Sequence, residues 1–234
     1  MGYAEDGTVR PNANITRAEV AAIFFRLLTD DARDAYWCTS NRFPDVTPDA
    51  WYNNAVSTVA NAGILVGNPD GTFRPNANIT RAEFAAIAAR FLSDPSEGRD
   101  RFTDTANHWA RALINQAAAE KWVTGYKDGT FRPDNAITRA EAVTLINNVL
   151  ERGPDADHML KKMVTWPDNA DRSAWYYEAI QEATNSHDYT WSEDDDSEKW
   201  TKLLETRDWP ALEREWSSKH AGKGEIDIDD GPSI

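Results

Sequence analysis

The chain has 234 residues, 41% hydrophobic and 11% aromatic, the composition of a folded protein with enough material for one large core or two small ones. Its net charge of -14 gathers toward the C-terminus, where residues 188–234 hold 14 acids against 6 Lys or Arg, and the absence of any basic cluster excludes a nucleic-acid partner. No apolar run reaches 18 residues, so membrane insertion is excluded as well, and the single cysteine, Cys38, excludes an internal disulfide and a cysteine-based zinc cluster. The first residues also lack the basic and apolar regions of a secretory signal, which fits either a cytosolic protein or a fragment of a longer one.

In chain order, one phrase recurs three times. Residues 2–27 read GYAEDGTVRPNANITRAEVAAIFFRL, residues 67–91 read GNPDGTFRPNANITRAEFAAIAARF, and residues 125–150 read GYKDGTFRPDNAITRAEAVTLINNVL. A second phrase precedes the later copies and recurs once more beyond them: FPDVTPDAWYNNAV at 43–56, FTDTANHWARALI at 102–114, and WPDNADRSAWYYEAI at 166–180. The repeat is near 60 residues, somewhat longer than most helical solenoid units.

Each unit predicts helix, turn, helix. The first helix starts near a tryptophan, carries apolar positions such as Trp51, Ala55 and Val59, and stops at Gly63. Asp70-Gly71 predicts a tight turn with positive φ, and Pro75 predicts an extended residue before it. The second helix starts at a capping box: Thr16 with Glu19, Thr80 with Glu83, and Thr138 with Glu141 each place an N-cap hydroxyl three residues before a glutamate able to reach back to the cap amide. Its apolar stripe follows at helical spacing, Phe84, Ile87, Ala88 and Phe91 in the middle copy, and the three stripes are expected to share a core.

The first copy has only the turn and second helix, and the last has only the first helix. Neither half buries its apolar face alone, so the expected organisation is a closed one. Residues 1–30 form the second half of a module, 43–92 and 102–151 are complete modules, and 164–187 form the first half that closes with 1–30. Residues 188–216, with Trp191, Trp200, Trp209 and Trp216, predict a helical extension packed on the body, and 217–234 a disordered tail.

The string GYKDGTFRPDNAITRAE preceded by FTDTANHWARALI resembles the S-layer homology (SLH) module, over about residues 2–187. The resemblance implies an all-α, pseudo-threefold assembly of helix-turn-helix repeats around a central helical bundle, with one module split between the N- and C-terminal parts. It also implies a non-catalytic anchor on a bacterial surface that grips secondary cell-wall polysaccharide, often pyruvylated, in grooves between modules. On this sequence the family's binding positions fall on the TRAE arginines Arg17, Arg81 and Arg139, the tryptophans Trp51, Trp109 and Trp175, the aspartates Asp45, Asp104 and Asp168, and the turn glycines Gly71 and Gly129. An arginine in a first helical turn adds a bidentate donor to the helix N-terminal amides and dipole, which suits a carboxylate, while tryptophan suits a sugar face. The implied partner is polysaccharide attached to peptidoglycan, at an extracellular wall or surface layer, with self-assembly or contact with other surface-layer proteins as the alternative. No catalytic motif is present, the four histidines have no metal spacing, and neither metal nor cofactor is expected. The copies also differ. Gly-Tyr at 2–3 and 125–126 becomes Gly67-Asn68, and Val9 stands where the other turns have phenylalanine, so the grooves are expected to be unequal.

Overall fold

The computed structural model describes residues 6–90, 99–192 and 197–221. The described chain is mostly helical, with α1 Arg17–Leu27, α2 Asp30–Tyr36, α3 Asn53–Asn61, α4 Arg81–Ala89, α5 Arg111–Ala119, α6 Arg139–Val149, α7 Tyr177–Thr184 and α8 Trp209–Lys219. Two strands, β1 His187–Ser192 and β2 Ser197–Leu203, form an antiparallel hairpin. Two compact units emerge: the chain up to Ile15 with Ile79–Thr206, and Thr16–Asn78 with the chain from Arg207 onward. Phe91 and the tail from 222 on lie outside the described residues.

The three TRAE helices start as their sequence predicts. Thr16, Thr80 and Thr138 each accept from the Glu amide three residues on, and each glutamate accepts from the cap amide at 2.8–2.9 Å. The next two amides of each helix are also taken, by the turn of a neighbouring copy: Arg17 and Ala18 donate to Ala77 and Pro75, Arg81 and Ala82 to Asn135 and Pro133, and Arg139 and Ala140 to Ala13 and Pro11, all at 2.9 Å. Beside them, Ile15, Ile137 and Ile79 form a closed cycle of backbone bonds. Ile15 donates to Ile137 (3.2 Å), Ile137 to Ile79 (3.1 Å) and Ile79 to Ile15 (3.1 Å), and all three side chains are buried.

In the first unit α4 packs on α5, α6 packs on α7, and α4 also touches α6. Helix α4 is buried on nearly every side, with Ala82, Phe84, Ala85, Ala86, Ile87, Ala88 and Ala89 all covered, which goes beyond a single stripe and marks a central helix. Val9, Val143, Ala179 and Ile180 make one buried cluster there, with Trp166 and Tyr176 packed against it. In the second unit α1 packs on α3 around Val20, Phe25, Val56, Val59 and Phe73.

The turns depart from expectation at one backbone position. Gly71 and Gly129 have φ of 82° and 81°, as Asp-Gly predicts, but the residue before each proline is left-handed and not extended: Arg10, Arg74 and Arg132 have φ of 49°, 56° and 56°. The aspartate of the preceding phrase supplies the reason. Asp45 accepts from the amides of Phe73 (2.9 Å) and Arg74 (2.6 Å), Asp104 from Phe131 (2.8 Å) and Arg132 (2.7 Å), and Asp168 from Val9 (3.1 Å) and Arg10 (2.7 Å). A left-handed non-glycine residue costs roughly 1–2 kcal/mol. Two hydrogen bonds to a charged acceptor, at about 1.5–3 kcal/mol each, outweigh that cost.

The extension predicted as helical is a hairpin followed by a helix. Tyr189, Thr190, Trp191, Trp200 and Thr201 are strand formers, and their alternation sets Tyr189 opposite Trp200. Trp200 is buried and stacks on His187 with ring centroids 3.9 Å apart. Beneath it Arg152 bridges two buried carboxylates, meeting Glu198 through Nε (2.5 Å) and Nη2 (2.8 Å) and Glu182 through Nη2 (2.6 Å). Burial, opposed by the Arg152 charge and reinforced by Glu198, pushes the Glu182 carboxyl up to about 7.

In the second unit α8 lies against α1 and α2 through aromatic rings. Phe25, Trp37 and Trp216 meet pairwise at 5.5–6.2 Å, and the fully buried Arg33 has its guanidinium 4.9–5.3 Å from the rings of Phe25, Trp209 and Trp216. Arg33 also donates to the carbonyls of Phe25, Arg26 and Leu28, the open C-terminal acceptors of α1, where a cation complements the helix dipole. Arg207 pairs with Asp30 at 2.8 Å and Lys219 with Asp34 at 2.6 Å, tying both ends of α8.

Candidate functional site

The repeat brings its arginines to three locally similar settings. Each TRAE arginine turns its Nε to the carbonyl of an apolar turn residue of a neighbouring copy: Arg17 to Phe73 (2.7 Å), Arg81 to Phe131 (2.8 Å) and Arg139 to Val9 (2.9 Å). Arg17 also donates to Val66 (3.0 Å) and Arg81 to Thr124 (3.0 Å), the residues just before Gly67 and Gly125. Those glycines are required by close approach: a Cβ on Gly125 would overlap the Phe102 ring, and one on Gly67 the Phe43 ring. Arg17 and Arg139 are buried, whereas Arg81 keeps about a tenth of its side chain exposed and faces a cavity.

That cavity, of about 190 Å³, is lined by Arg81, Trp122, Tyr126, Glu141, Thr144 and Trp175 among others. Arg81 lies 4.7 Å from the Phe131 ring and 5.0 Å from the Tyr126 ring, and Arg132 lies 3.9 Å from the same Tyr126 ring. Glu141 performs two tasks: Oε2 caps α6 and Oε1 accepts from Arg81 Nη1 at 3.0 Å. The guanidinium has five N–H groups and three are engaged in hydrogen bonds. The Thr144 hydroxyl is buried and makes no hydrogen bond, an orphan on the same wall.

The tryptophans are exposed, at 67% for Trp51, 58% for Trp109 and 64% for Trp175, so they do not belong to the apolar stripe of the first helices. Each sits just before its helix and leans on a neighbour, Trp51 on Tyr52, Trp109 on His108 and Trp175 on Tyr176. Trp175 joins Arg81 at the cavity. Asp45, Asp104 and Asp168 have both carboxylate oxygens engaged with turn amides, and Gly71 and Gly129 serve the turns through positive φ. The helix N-terminal amides, expected to help bind an anion, are occupied by neighbouring turns. Trp122 and Thr144 are cavity residues that the repeat pattern does not single out. Trp122 stands where the middle copy has Ile64, and that aromatic-for-aliphatic difference was the available signal.

Against known proteins, the family model described as S-layer homology domain matches three segments, residues 1–21, 42–85 and 101–143, and the chain belongs to this family. Among curated proteins it is 38% identical over 87% of its length to cell surface glycoprotein 1 of Acetivibrio thermocellus, covering 9% of that protein. It is 38% identical over 78% of its length to the cellulosome-anchoring protein of the same organism, covering 41% of it. It is also 37% identical over 63% of its length to an amylopullulanase of Thermoanaerobacterium thermosulfurigenes, covering 8% of that enzyme. The chain thus spans less than half the length of each of these relatives. No helix among the described residues is long and apolar enough to cross a membrane.

Proposed function

We propose that this chain is a non-catalytic wall-binding module that tethers a surface protein to secondary cell-wall polysaccharide on peptidoglycan, outside the cell, with pseudo-threefold closure supplied by residues 1–30 and 164–187. The observation that supports the reading is the cavity lined by Arg81, which has two guanidinium N–H groups without a hydrogen bond, and by the exposed Trp175. Its volume is below the roughly 300–1,000 Å³ of pockets that enclose a drug-sized ligand, which suits one terminal sugar rather than a length of chain. A pyruvyl carboxylate meets the guanidinium, and the tryptophan takes the sugar face. Similarity to an anchoring protein and to one short stretch of a long enzyme supports a tether that carries no chemistry of its own.

The test is co-sedimentation with peptidoglycan sacculi that retain their polysaccharide and with sacculi stripped of it by mild acid. Pelleting with the first alone supports glycan anchoring. Equal pelleting with both moves the function to a peptidoglycan or protein contact, and concentration-dependent self-association without glycan favours a surface-assembly role.

A further inference from the structure

The buried cluster under the hairpin is absorbed neither by the glycan reading nor by the repeat. Glu182 on α7, His187 at the start of β1 and Glu198 on β2 have side chains 2%, 2% and 0% exposed, and one ligand atom from each lies within 4.8 Å of the others. The His187 Nε2 is 3.4 Å from Glu182 Oε2 and 3.6 Å from Glu198 Oε2. Ligand atoms placed about 2.0–2.1 Å from a tetrahedral zinc ion stand roughly 3.4 Å apart. The imidazole is also oriented as a ligand. Its Nδ1 donates to the Asn185 carbonyl at 2.7 Å, the outer hydrogen bond that ligating histidines make, and its Nε2 lone pair, within 3.4–3.6 Å of both carboxylates, accepts from Arg152 Nη2 at 2.9 Å.

Hydrogen bonding leaves the cluster incomplete. Glu182 and Glu198 share the one guanidinium of Arg152, and Glu182 Oε2 is buried without a hydrogen bond. The Trp200 indole N–H leans toward the same carboxylate without reaching hydrogen-bond geometry and is itself unpartnered. Arg152, whose side chain is 24% exposed, holds the Nε2 position of His187 and has the Tyr189 ring 4.6 Å from its guanidinium. In the other copies the positions equivalent to Glu182 are Thr58 and Gln116, and those equivalent to His187 are Gly63 and Lys121. The cluster therefore belongs to the one copy that carries the hairpin.

We propose that Glu182, His187 and Glu198 form a divalent transition-metal site, best matched to Zn²⁺, with Arg152 moving outward to open the fourth position to water. One imidazole nitrogen and two carboxylate oxygens at this spacing suit a borderline ion; Ca²⁺ requires six to eight oxygens and Mg²⁺ near-ideal octahedral geometry. Because the ligands come from three elements, the ion clasps the hairpin to α7. Sequence spacing shows nothing of this, since only folding brings residues 182, 187 and 198 together.

The experiment is titration of the whole chain with ZnCl₂ and, in parallel, CoCl₂, followed by calorimetry, cobalt visible absorption and tryptophan fluorescence. Expected are one site per chain, an intense tetrahedral cobalt band, and a change in Trp200 emission through the stacked His187. Glu182→Gln, whose circular dichroism should match the parent, is expected to weaken zinc binding at least tenfold. Arg152→Met is expected to tighten it. Absence of zinc binding by the parent chain overturns the proposal, and so does binding that survives Glu182→Gln unchanged, because the ion then sits at another histidine.

Discussion

Arg81 on α4 and Glu141 on α6 meet at 3.0 Å while Glu141 also caps its own helix, so one carboxylate joins the start of a helix to the wall of the cavity. The two oxygens can be separated by mutation. Glu141→Gln keeps a capping-box side chain but discharges the pair, which leaves the Arg81 charge available to an anionic glycan. Polysaccharide affinity is expected to rise several-fold in Glu141→Gln and to fall about tenfold or more in Arg81→Ala, a difference of ~1.4 kcal/mol per decade. Equilibrium binding to purified polysaccharide checks both. A neutral ligand predicts no gain in the glutamine variant.

Trp175 offers a cleaner separation of binding from folding. With 64% of its surface exposed, Trp175→Ala should move stability by less than about 0.5 kcal/mol while weakening glycan binding. Thermal melts set beside the sedimentation assay distinguish this outcome from loss of the fold.

The aspartate that holds each left-handed turn predicts an opposite pattern. Asp104→Ala leaves the amides of Phe131 and Arg132 without their acceptor and should cost about 2–4 kcal/mol, read from urea unfolding. Arg132→Val, a β-branched residue at φ 56°, should destabilise, whereas Arg132→Gly should be nearly neutral, relief of the backbone offsetting loss of the exposed Asp128 pair.

Acid acts through the same turns. The Thr72 hydroxyl and amide, with Arg74, hold the Asp70 carboxyl at about 2; Thr130 and Arg132 do so for Asp128, and Thr8 and Arg10 for Asp6. These pKa values are lowered in the folded state, so the stabilisation is complete above the ordinary carboxylate value near 4 and is lost as pH falls from about 4 to about 2. Unfolding midpoints measured from pH 5 to pH 2 should drop within that window, and less so in a variant carrying Asn at positions 70 and 128.

Arg33 tests the second unit. Replacing it with methionine keeps volume among Phe25, Trp209 and Trp216 but strips three carbonyls at the end of α1 of their donor. A loss of about 3 kcal/mol is expected, measured by denaturant unfolding and accompanied by a change in tryptophan emission.

The residues most readily read from sequence were those governed by local rules. Thr80 and Glu83 announce a helix start because the capping box is complete within four residues, and Asp70-Gly71 announces its turn for the same reason. At Arg74 the extended preference of a pre-proline residue is local, while the force that overrides it comes from Asp45, 29 residues away. Spacing places Trp51 in a helical stripe, yet it precedes the first residue of α3 and is exposed. In the extension, tryptophan spacing of nine, nine and seven fits no single period, and only the pairing of Tyr189 with Trp200 decides for strands. In the cavity, Arg81 was legible from the motif, while Trp122 and Thr144 were hidden because they occupy positions where the copies differ.

The cycle of Ile15, Ile137 and Ile79 limits how such a chain can change in length. An open solenoid gains or loses a unit at its end and leaves the remainder intact. Here each isoleucine gives its amide to one partner and its carbonyl to the other, so deleting any one copy strands a donor on one survivor and an acceptor on the other. A fourth copy would have to open this circuit, so a chain shortened or lengthened by one repeat should unfold at lower denaturant than its parent.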